Sequence, residues 1–64
     1  MDVDAAGFVL DKVDIAREAL TEARQVVDKF AQAEDAEIGR LLDEMLEKAN
    51  QVDLQVRAGN YPRP

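Results

Sequence analysis

Between Phe30 and Ile38 the chain reads Ala31-Gln32-Ala33-Glu34-Asp35-Ala36-Glu37, with neither proline nor glycine to mark a break. The pattern on either side marks it instead. Before this stretch apolar residues fall at Ala6, Val9, Val13, Ala16, Leu20, Ala23, Val27 and Phe30, in alternating steps of three and four. After it they fall at Ile38, Leu42, Met45, Ala49, Val52 and Val56, then Gly59, in steps of four and three. Each series has the period of a helix with one apolar seam. Carrying the first heptad past Phe30 would place Glu34, Glu37 and Glu44 in the seam, with only Leu41 apolar among them.

A turn explains the interruption. Lys29 lies near the end of helix one, while Glu34, Asp35 and Glu37 crowd the start of helix two with Asp35 as its N-cap, as the helix dipole favours. The rival is one continuous rod, because the eleven-residue step from Val27 to Ile38 suits a stutter. Antiparallel folding gives each seam residue a mate: Val27 faces Ile38, Ala23 Leu42, Leu20 Met45, Ala16 Ala49, Val13 Val52 and Val9 Val56. The same register sets Arg17 opposite Asp53. The predicted organisation is a helical hairpin over residues 1–59, with helix one at about 4–32 and helix two at about 36–58. Asp2 or Asp4 caps the first helix, Gly7 invites fraying of its first turn, and Gly59 is placed for a left-handed C-cap. Residues 60–64, Asn60-Tyr61-Pro62-Arg63-Pro64, read as an extended tail of polyproline-type composition.

The chain has 64 residues, 14 acidic and 8 basic, for a net charge of -6. That size is near the lower limit for a core of its own, and without cysteine no disulfide reinforces it. Two helices bury one seam, yet further apolar residues lie beside it: Phe8, Ile15, Ala19 and Val26 on helix one, and Leu41 on helix two. Leu10 and Leu46 broaden the other flank, and Leu54 adds to helix two. The expected fold is therefore all-α, an antiparallel two-helix hairpin that dimerises into a four-helix bundle. Phe8, Ile15, Ala19, Val26, Leu41 and Leu54 are the candidate contacts, with a second copy or with a different protein.

Composition also narrows the chemistry. The chain has no His, Cys, Ser or Trp, and one Thr, Thr21, so an activated hydroxyl or thiol nucleophile has no imidazole to serve it. Its glycines stand singly and form no phosphate-cradling loop. The carboxylates face outward at helical spacing and lack the histidines that complete metal sites in helical bundles. The expectation is a non-enzymatic protein with no cofactor and no metal. The longest apolar stretch, Ala5 to Leu10, is six residues counting Gly7, far short of a membrane span. The start Met1-Asp2-Val3-Asp4 lacks a positive leader, so a cytoplasmic location is expected. Alanine-rich, lysine-poor usage suits a GC-rich bacterium or its phage.

The layout resembles the plasmid-copy-number Rop/Rom proteins in its two heptad seams, Val9 to Phe30 and Ile38 to Val56. The turn and second-helix start, Ala33-Glu34-Asp35-Ala36-Glu37-Ile38, match as well. The resemblance implies a four-helix-bundle dimer that binds RNA through its helix-one faces. The polar and aromatic RNA face of those proteins is not reproduced at matching positions, and the tail differs. Three functions follow for comparison. The first is a protein–protein interaction module: a regulatory, adaptor or inhibitor protein acting as a homodimer on a protein partner. The second is RNA binding through Arg17 and Arg24. The third is an acidic mimic of nucleic acid, in which Asp11, Asp14, Glu18 and Glu22 engage a basic partner.

Overall fold

A computed structural model describes residues 1–59; the expected tail, 60–64, lies outside the described residues. Two helices pack against each other as an antiparallel hairpin, α1 over Val3–Phe30 and α2 over Ala36–Ala58, joined through a short 3₁₀ turn at Ala33–Asp35. The continuous rod is thereby set aside. Asp2 caps α1, its carboxylate accepting from the Ala5 N–H at 2.7 Å. Gly7 lies within α1, in its second turn.

The reversal uses extended backbone and no left-handed residue. Ala31 and Gln32 are both extended, which ends α1 at Phe30 rather than near residue 32. Asp35 then closes the turn from both its groups: its carboxylate accepts from the Gln32 N–H at 2.9 Å, and its own N–H donates to the Gln32 carbonyl at 3.0 Å. Asp35 stands at the N-cap position of α2, but its side chain reaches back to Gln32 and caps no α2 amide. Gly59 ends α2 in extended backbone with φ -64°, and no described residue has positive φ, so the expected left-handed C-cap does not form.

The helices meet in the expected register. Val27 and Ile38 border one surface hollow, and Leu20 and Met45 border another. Arg17 Nη1 donates to Asp53 Oδ2 at 2.6 Å. The seam itself is turned, however. On α2 the inward residues are Gly39, Leu42, Leu46, Ala49, Asp53 and Val56. Leu42, Ala49 and Val56 were expected there; Gly39, Leu46 and Asp53 replace Ile38, Met45 and Val52. On α1 Ala6, Val9, Val13, Leu20, Ala23 and Val27 stay inward as expected, joined by Val3, Leu10, Arg17 and Arg24, while Ala16 and Phe30 are exposed. Leu10 and Leu46 thus belong to the seam and not to an outer flank.

The rotation has a physical cause. It brings Arg17 onto Asp53 and Arg24 onto Asp43. Gly39 leaves room for the Arg24 head: a Cβ built there would stand 3.0 Å from Nη1. The consequence is a thin core. Among the described residues only Ala6 and Val56 are buried apolar residues, and no side chain is fully buried. The extents are 51 × 15 × 11 Å, and the described residues form one layer of helices.

Candidate interaction surface

Rotating the seam toward Leu10, Arg17 and Arg24 leaves the opposite side of the hairpin apolar. In an antiparallel pair, residues displaced in the same rotational sense on both helices emerge on one common face. Here that face carries Ala16 and Phe30 from α1 and Ile38, Leu41, Met45 and Val52 from α2. Phe30 is 67% exposed, Ile38 51%, Met45 52% and Val52 44%. Val26, Phe30 and Ile38 line a hollow near the turn, and Leu20, Leu41 and Met45 line a groove farther along, edged by Glu44 and Lys48.

The other face is charged and internally paired. Asp53 is nearly enclosed and accepts from both Arg17 and Arg57. Arg17 also lies 3.5 Å from Asp14. Arg24 Nε donates to Asp43 at 2.9 Å while Nη1 bonds Asp28, and the Asp43 bond holds the guanidinium pKa above its ordinary value. At the start of α2, Arg40 donates to Glu37, through Nε at 3.0 Å, and to Glu44. That bond from Arg40 pulls the Glu37 carboxyl below the usual carboxylate range, against an opposing effect of desolvation.

The expected contact residues divide among three places. Leu41 lies on the apolar face and Val26 at its edge by the turn. Phe8 (64% exposed), Ile15 (58%) and the exposed Ala19 run along the outer side of α1. Leu54 lies on the far side of α2, by a depression lined by Arg17, Asn50, Asp53 and Arg57. Phe30, Ile38, Met45 and Val52 were expected inside the hairpin seam, and their exposure adds them to the surface. The signal for this was present in Gly39 and Asp53. A glycine in the first turn of α2 makes space for a neighbour, and an aspartate on the line of Gly39 and Leu46 invites the arginines opposite.

Of the charged candidates, Arg17 and Arg24 are held by carboxylates, and Asp14 is drawn to Arg17. Asp11, Glu18 and Glu22 make no ion pair among the described residues. No group of His, Cys, Asp or Glu among the described residues is placed to hold a metal ion, and no described helix is long and apolar enough to cross a membrane. Compared with known protein families, curated proteins and solved structures, the chain matches none.

Proposed function

We propose that this chain is a small, non-enzymatic protein–protein interaction module, a regulatory, adaptor or inhibitor protein that works as a homodimer. Two hairpins pair through the face carrying Phe30, Ile38, Leu41, Met45 and Val52 and form a four-helix bundle. The observation that carries this reading is the exposure of those side chains on one side of a single helical layer. A contiguous apolar face of this kind calls for a covering surface. A second copy supplies an identical one. A small residue helps, since the exposed Ala16 lets a facing helix approach closely. RNA binding through Arg17 and Arg24 gains no support from their geometry, because a phosphate would have to displace Asp53 and Asp43.

The test is a charge placed on each side of the molecule. Met45→Lys is expected to reduce the sedimentation mass toward that of one chain, while Leu54→Lys, on the far side of α2, leaves it at the wild-type value. Equal masses for wild type and Met45→Lys would overturn the assignment of this face.

A further inference from the structure

The outer side of α1 carries a second apolar stripe that the dimer face does not include. Phe8 and Ile15 are seven residues apart, two helical turns and about 10 Å along the axis. Both are more than half exposed. Each has a carboxylate four residues before it and another three residues after it: Asp4 and Asp11 for Phe8, Asp11 and Glu18 for Ile15. Those offsets make them surface neighbours on one side of the stripe. Glu22, seven residues beyond Ile15, continues it. None of these four carboxylates is ion-paired among the described residues, although every arginine from Arg17 to Arg57 is. On the other side of the stripe stand the small Ala19 and Lys12, whose ammonium lies 5.2 Å from the Phe8 ring centre.

We infer that this edge of α1 docks a cationic amphipathic helix from a partner protein. Apolar anchors at seven-residue spacing match the Phe8–Ile15 separation, and lysine or arginine beside those anchors meets the open row Asp4, Asp11, Glu18 and Glu22. The inference rests on the chain being an interaction module, and it names the partner's chemistry. It does not depend on the dimer, because Phe8 and Ile15 are exposed in the single hairpin.

The test uses three synthetic fluorescent peptides and the whole protein. One is a heptad peptide of leucine and lysine, the second keeps the leucines and replaces every lysine by glutamate, and the third has the first composition in scrambled order. The heptad leucine–lysine peptide is expected to bind at least about tenfold more tightly than either control. Phe8→Ala with Ile15→Ala, and separately Asp11→Asn with Glu18→Gln, are each expected to weaken it about tenfold or more. The second pair should also flatten its salt dependence. Leu54→Ala is expected to bind like wild type, and the helical circular dichroism and sedimentation mass of every variant should be unchanged. Equal binding of the scrambled or glutamate peptide, or wild-type affinity in either double variant, would overturn the inference. So would a fall in mass on changing Phe8 and Ile15, which would assign them to self-association. A wild-type mass of one chain contradicts the dimer alone, leaving the peptide comparison to decide this surface.

Discussion

Arg17 Nη1 lies 2.6 Å from Asp53 Oδ2, a bond between residues 36 apart in the chain that ties the middle of one helix to the far part of the other. Asp53 is 7% exposed and also accepts from Arg57, so it is a seam residue whose charge is fully engaged. Removing one partner of such a group leaves the others uncompensated, whereas replacing both partners by apolar residues avoids the problem. Asp53→Ala is expected to destabilise the protein by about 1–3 kcal/mol in chemical denaturation. Asp53→Leu combined with Arg17→Met, which replaces both sides of the bond, should be closer to neutral. Denaturation is compared at one fixed protein concentration, because self-association raises apparent stability. A larger loss for the double variant than for Asp53→Ala would contradict the placement of Asp53 in the seam.

Gly7 lies in α1 with open space where a side chain would begin, since nothing lies within 4 Å of a Cβ built there. Gly7→Ala therefore gains helix propensity without a clash, worth up to about 1 kcal/mol. The expected result is a higher thermal midpoint, with slower amide exchange at Ala5 to Val9.

Gly39 differs, because the Arg24 guanidinium stands 3.0 Å from its Cβ position. The obstacle is the free end of a long side chain, so alanine is tolerated and valine is not. Gly39→Ala should keep or slightly raise the thermal midpoint, while Gly39→Val lowers it by pushing Arg24 away from Asp43. Chemical shifts of the Arg24 Nε proton report the displacement directly.

How far the sequence reaches can be judged at these positions. The helical period, the interrupted seam between Phe30 and Ile38, and the rows Ala6-Val13-Leu20-Val27 and Leu42-Ala49-Val56 are legible from apolar spacing alone. What spacing does not decide is the second row of each seam. A three-four pattern with apolar residues on both sides of a shared row fits two rotations equally well, Met45 inward or Leu46 inward. The choice falls to groups that an apolar count leaves out: Gly39, which gives Arg24 room, and Asp53, which draws Arg17 inward. The candidate surface follows from that choice, which is why Ile38, Met45 and Val52 read as core in the sequence and stand exposed in the fold. The end of α2 was missed for a related reason. Gly59 permits a left-handed cap but does not require one, and the chain leaves the helix in extended backbone.

Glu37 gives a pH signature for the start of α2. Its folded carboxyl titrates below the usual range because Arg40 donates to it. A depressed folded pKa adds stability that is present above the ordinary glutamate value, near 4.3, and is lost as pH falls through the folded value. The pair is exposed, so the effect on unfolding is small. The direct reading is the Glu37 side-chain carbon titration by NMR. Its midpoint should lie below the ordinary glutamate value, and Arg40→Gln should raise it toward that value.

Sedimentation equilibrium of the unmodified protein, from micromolar to millimolar concentration and with helicity followed on the same samples, tests the apolar face most directly. The prediction is a mass of twice 7.1 kDa, with dissociation and loss of helix occurring together on dilution. A fully helical single chain at every concentration would contradict it, since Phe30, Ile38, Met45 and Val52 would then stay in water without a covering surface.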